Sequence, residues 1–147
     1  MYGDTAVIRK RADQLREQST DIRMLAEQLV AQTDAIDWTG RAADAMRARI
    51  HDRAVQLRDA AGFHDSAADS LRRHLTEVDL IKEQITGVEH RVSSLTADAA
   101  TRVARLEDHQ DPDGICRTPS DEDQALVSFV PPSRGHRDWL TVSLPGL

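Results

Sequence analysis

The chain has 147 residues, 39% of them hydrophobic and 30% charged, with two Trp, two Phe and one Tyr. That fits one modest domain and excludes a core built on aromatic rings. Its 25 acidic against 19 basic side chains give a formal charge of −6. No block is cationic: residues 1–40 carry five basic and seven acidic groups, 41–108 eleven and twelve, and 109–147 three and six, so no nucleic-acid partner is expected. The single Cys116 excludes an internal disulfide framework and a four-cysteine zinc site, leaving packing to hold the fold.

In chain order, Arg9-Lys10-Arg11 is followed by no uninterrupted apolar stretch. A cleaved secretory signal and a membrane span are therefore not expected, and the chain reads as a cytoplasmic protein without stable membrane insertion. All five prolines lie at or after Pro112, and eighteen of nineteen alanines lie before residue 109. Alanine is the best helix former, and proline breaks a helix at about 3 kcal/mol. Residues 1–108 thus read as all-α and 109–147 as an irregular, Pro-containing, flexible tail. Ile8, Leu15, Ile22, Leu29 and Ile36 recur every seventh residue, with small neighbours Ala12, Ser19, Ala26 and Thr33 four places on. This predicts helix one over about 5–35, with Asp4 as N-cap and coiled-coil-like packing along the large residues.

A second series, Ile50, Leu57, His64, Leu71, Val78, Ile85, Val92, Ala99 and Leu106, keeps one phase and predicts a single helix over about 41–108. Gly62 and Gly87 are places for a bend, and either is also a place for a break, including a fold-back at Gly87. Between the series, Ile36-Asp37-Trp38-Thr39-Gly40 is the predicted turn, over 36–40. Asp37 or Thr39 is its capping candidate, Gly40 takes a backbone angle closed to other residues, and Trp38 plugs the gap between the helices.

A Trp-x-Gly tripeptide in the turn between two Ala- and Gln-rich helices, within about 100 proline-free residues, resembles the WXG superfamily of type VII secretion. The resemblance implies a helical hairpin that pairs with another WXG-like hairpin as a homo- or heterodimer, forming a four-helix bundle. It also implies export without a cleaved signal peptide, and a role for Trp38 and Gly40 in a surface read by the secretion machinery. The family's Tyr-x-x-x-Asp/Glu export motif after the second helix has no counterpart, because Tyr2 is the only tyrosine. The resemblance then implies the motif-free half of a pair, or a relative kept inside the cell. An intracellular coiled-coil scaffold unrelated to secretion is the alternative reading.

Helix two is predicted to outreach helix one by about 55 Å at 1.5 Å per residue. Ile81, Ile85, Val88, Val92 and Leu95 on that overhang are the predicted partner interface, since a stripe of this size is seldom left exposed. In the tail, Trp139 to Leu144 has strand-like composition suited to docking in a partner's groove or sheet edge; a tail that lies loosely on its own bundle or stays mobile is the other reading. His64 interrupts an aliphatic row and reads as a register-setting polar residue or a pH-sensitive one. Neither His64 with Asp65 and Asp69 nor His74 with Glu77 has a metal-ligand spacing. Aligning Gly114 as the glycine of a calcium loop puts His109 and Ser120 where acids are required. Arg47, Arg49, Arg53 and Arg58 interleave with Asp44, Asp52 and Asp59 as a solvated, ion-paired face. No catalytic constellation or cofactor motif is present, so the expectation is a non-enzymatic protein without metal or cofactor.

Overall fold

A computed structural model of the protein describes residues 5–108 and 117–147. It is all-α: α1 spans Thr5–Asp34, α2 spans Arg41–Asp108, and a short α3 spans Asp121–Val127, followed by a 3-10 helix at Arg137–Thr141. Gly62 and Gly87 lie inside α2 without interrupting it. The expected N-cap Asp4 and the segment 109–116, with Cys116 and the calcium-loop candidate, fall outside the described residues. The chain forms two compact units, divided between Glu77 and Val78.

The first unit is an antiparallel hairpin of α1 and the first part of α2. Asp13 pairs with Arg72, Arg16 with Asp69, Arg23 with Asp65, and Glu27 with Arg58, so numbers fall on one helix as they rise on the other. The innermost line of this hairpin corrects the expected core. On α1 the buried residues are Ala12, Ser19, Ala26 and Thr33. On α2 they are Ala43, Ala54, Ala61, Ala68 and Leu75. Ile8, Leu15, Ile22, Leu29, Ile50, Leu57 and Leu71, expected as the core, are only half-buried. The reason is steric. Two rows four residues apart are both candidates for the seam, and a seam of Ala and Ser lets the axes approach toward the lower end of the roughly 8–10 Å range. More backbone and Cβ atoms then come within dispersion range than a seam of leucines permits. Ser19 is accommodated there because its Oγ accepts from Arg23 Nη1 at 2.6 Å, and Thr33 Oγ1 donates to the Leu29 carbonyl at 2.7 Å.

The turn differs from expectation in its parts. Gly40 has φ +106° and occupies the N-cap position of α2, its carbonyl accepting from Asp44 N at 3.1 Å. Neither Asp37 nor Thr39 stands there. Arg47, nearly two turns into α2, closes the loop: its Nη2 donates to the Trp38 carbonyl at 2.6 Å and to that of Ile36 at 3.1 Å. The Trp38 ring is not a plug, being 49% exposed.

The second unit comprises α2 from Val78 onward and residues 117–147, which fold rather than trail. Ile85 and Val92 are each 2% exposed and form a core with Trp139; Ile81, Val88, Phe129, Val142 and Leu144 pack around it. Trp139 buries its ring and satisfies its indole by donating to the Ser133 carbonyl at 3.0 Å, while its ring tilts against Phe129 at 6.4 Å between centroids. Trp139–Leu144, strand-like in composition, is instead the end of the 3-10 helix Arg137–Thr141 and the irregular residues after it, with Val142 and Leu144 packed against Ile85, Val92 and Trp139. Gly135 at φ +71° and Gly146 at φ +85° supply left-handed positions. The Gly135 amide donates to Glu89, and Arg91 donates to the Gly146 carbonyl at 2.8 Å.

Two outcomes follow from these cores. Ala61→Leu forces a branched side chain into the closed seam and is expected to lower hairpin stability by about 1–3 kcal/mol, read as a lower urea midpoint. Trp139→Ala is expected to release residues 117–147 to limited proteolysis while leaving most helical circular dichroism in place.

Candidate functional site

With Ala and Ser in the seam, the remaining positions of the first unit sort onto two unlike sides. Taking the seam as the inner line, the heptad register puts Ile8, Leu15, Ile22 and Leu29 of α1 beside Ile50, Leu57, His64 and Leu71 of α2. The opposite side holds Arg16, Arg23, Arg58, Asp65 and Arg72. One side of the hairpin is therefore a half-buried aliphatic surface. The other is a lattice of ion pairs.

The charged side is built for register. Arg23 Nη2 reaches Asp65 Oδ2 at 2.6 Å, Arg72 Nη2 reaches Asp13 Oδ1 at 2.9 Å, and Arg58 Nη2 reaches Glu27 Oε1 at 3.1 Å. Such surface pairs contribute little individually, but a slip of one turn would break all of them together. The Asp65 carboxyl is held below its ordinary value of 3.8, first by hydrogen bonding from Arg23 and then from Ser19. At the turn end, His51 Nε2 lies 3.2 Å from Asp34 Oδ1. The arginines expected to pair locally divide: Arg47 meets Asp44 at 3.4 Å, while Arg58 reaches across to α1 and Arg53 to Gln56.

On the aliphatic side the exception is His64. It is half-buried, and its Nδ1 is buried without a hydrogen-bond partner. An orphaned buried nitrogen of this kind costs about 1–3 kcal/mol. By register His64 lies level with Ile22, with Leu57 and Leu71 one heptad to either side.

The residues expected to meet a partner take another role. Ile85 and Val92 are buried, and Ile81, Val88 and Leu95 half-buried, beneath the chain's own residues 126–146. The tail supplies the apolar surface that a second molecule was expected to bring. Leu95 has Gly146 against it, with the position of a Gly146 Cβ 3.4 Å from Leu95 Cδ2. The aliphatic rows are thus half-buried, while on the overhang Ile85 and Val92 are fully covered by the chain itself.

What fastens the tail was missed by sequence reasoning. Asp123, 8% exposed, takes Arg102 in a forked contact, with Nε at 3.0 Å and Nη2 at 2.5 Å from Oδ1. Ser120 caps α3, its Oγ accepting from Asp123 N at 3.1 Å. The Ser-x-x-Asp spacing was legible as a helix start, but nothing in the sequence ties Asp123 to Arg102. Around this docked segment lie open grooves, one lined by Lys82, Ile85, Thr86, Ser133, Arg134 and His136. Among the described residues no three His, Cys, Asp or Glu side chains gather around a point where a metal would sit. No described helix is long and apolar enough to cross a membrane.

No family model, curated protein or solved structure matches this chain.

Hydrogen bonding from Arg102 is the main cause that lowers the Asp123 carboxyl below 3.8, against the opposing effect of burial. A folded-state value below the unfolded one means that the contact stabilises above pH 3.8 and loses its contribution as pH falls toward the lowered value. Trp139 fluorescence in a Trp38→Phe background is expected to report loosening of the tail over that acid range. Asp123→Asn is expected to loosen it at neutral pH and to flatten the acid dependence.

Proposed function

We propose that this chain is a non-enzymatic, WXG-like helical-hairpin protein associated with type VII secretion, acting by pairing with another hairpin as substrate, co-substrate or adaptor. The observation that carries this reading is the state of the Trp38-Thr39-Gly40 turn. Its backbone is held by Gly40 at φ +106° and by Arg47 on the carbonyls of Ile36 and Trp38. A large aromatic left 49% exposed at the tip of a hairpin suits recognition by other proteins. The pairing surface in this reading is the aliphatic side of the first unit, not the overhang.

A second reading, an intracellular coiled-coil scaffold, is favoured by the docked tail. Residues 126–146 pack on the last part of α2, where the family's export motif would follow the helix, and the chain has no such motif there.

Expression in a cell with a working type VII system separates the two. The proposal expects uncleaved protein outside the cell and at least a tenfold drop for Trp38→Ala, with unchanged helical content. Retention of the wild type inside the cell, or export indifferent to Trp38→Ala, favours the scaffold. Co-expression with the hairpin encoded beside it, followed by mass measurement, tests pairing with a different chain.

A further inference from the structure

We propose that the groove between α2 and the Ser133-Arg134-Gly135-His136 turn is a binding site for a phosphoryl group, taken up as free phosphate or as a small phosphomonoester. A ligand held there pins the tail to α2.

The site is built on one locked turn within the second unit. The His136 amide donates to the Ser133 carbonyl at 3.0 Å and closes a β-turn in which Gly135 takes the left-handed position at φ +71°. Closure of this kind brings the first and fourth residues within about 7 Å of each other at Cα, so Ser133 and His136 are neighbours. Two further bonds hold the turn in place. The Trp139 indole donates to the same Ser133 carbonyl at 3.0 Å, and the Gly135 amide donates to Glu89 of α2. Lys82, Ile85 and Thr86 of α2 complete the groove.

Charge points to an anion. Lys82 is half-buried and Arg134 exposed, and among the described residues neither side chain has an ion pair or hydrogen bond, nor has the Ser133 hydroxyl. The arginines on the charged side of the hairpin, by contrast, each meet a carboxylate of the other helix. The acids nearest the turn are already engaged: Glu89 by the Gly135 amide, and Asp138 by His136, whose Nδ1 lies 3.2 Å from Asp138 Oδ2. Glu83 lines the next groove along α2, with His90. Two full cations beside a hydroxyl and an imidazole match a dianion better than a singly charged carboxylate, and a phosphomonoester is dianionic above its second pKa of about 6. The groove, about 470 Å³, falls within the range of small-molecule sites.

Lys82 belongs to α2, whereas Ser133, Arg134 and His136 belong to the tail. A ligand that needs both binds only while the tail is docked. Linkage then makes it a stabiliser of docking: at ten times its Kd it lowers the undocked population about elevenfold.

The test is a titration of the full, 15N-labelled chain with phenyl phosphate at about pH 8 and roughly physiological salt, read by amide shifts. Saturable shifts are expected at Thr86, Gly135 and His136, with slower release of residues 117–147 by proteinase K. Lys82→Gln and Arg134→Gln are each expected to weaken binding at least tenfold, and Arg49→Gln, which removes an exposed cation of the first unit, to leave it unchanged. Inorganic phosphate binding as tightly assigns free phosphate as the ligand; weaker binding assigns the ester. Benzoate is expected to bind at least tenfold more weakly than phenyl phosphate. Trp139 fluorescence in the Trp38→Phe background checks that each variant keeps its tail docked. Where one does not, Lys82→Arg or Arg134→Lys, which keeps the charge, is expected to recover binding. Shifts that do not saturate, benzoate equal to phenyl phosphate, unchanged affinity in either groove variant, or no recovery on restoring the charge overturns the site and leaves an adventitious ion only. Saturable binding without slower proteolysis overturns the pinning of the tail.

Discussion

The close approach of two helices along a line of alanines and a serine governs the rest of this protein. With Ala12, Ser19, Ala26 and Thr33 on the innermost line of α1 and Ala54, Ala61, Ala68 and Leu75 on that of α2, most of the larger aliphatics stand to one side of the seam. The arginines and carboxylates fall to the other. A seam of leucines would have hidden the apolar surface inside the hairpin. A seam of mostly small residues leaves the larger aliphatics half-buried beside it, so one packing choice sets both the register and the position of the apolar surface.

The last part of α2 meets the same excess of apolar surface in another way. Its row of Ile85 and Val92 has no antiparallel helix to pack on, and the chain covers it with Trp139, Phe129, Val142 and Leu144. A bulky indole spans the width that a helix would otherwise fill, and the Arg102–Asp123 fork fixes α3 in place. Unlike solutions follow from unlike rows. Small residues on α2 between 54 and 68 invite a helix, and branched ones at 85 and 92 invite a wedge.

The helices and their ends were legible because proline, alanine and heptad phase all changed at the same places. α2 runs over Arg41–Asp108, as its unbroken seven-residue series predicts, and Gly40 takes the positive φ its place in the turn requires. Which row faces inward was not legible. Ile22 and Ala26 recur with the same period, and the assumption that the larger buries first chose the wrong one. The tail was misread for a related reason: its prolines and acids outweigh a few apolar residues in composition, yet Phe129, Trp139, Val142 and Leu144 suffice once a matching stripe lies within reach. The Arg47 contacts to the turn carbonyls and the Arg102–Asp123 fork join residues by geometry alone, without a spacing that announces them.

The central claim is that small residues form the innermost line of the hairpin and that the larger aliphatic rows stand beside it, half-buried. Hydroxyl-radical footprinting across a dilution series tests it most directly. Leu15, Leu29, Leu57 and Leu71 are predicted to label in the most dilute samples, where the chain is alone, as do Met24 and Phe63, which are exposed and off the rows. Protection of the four leucines at every dilution would show that they form the hairpin's own core and would contradict the account.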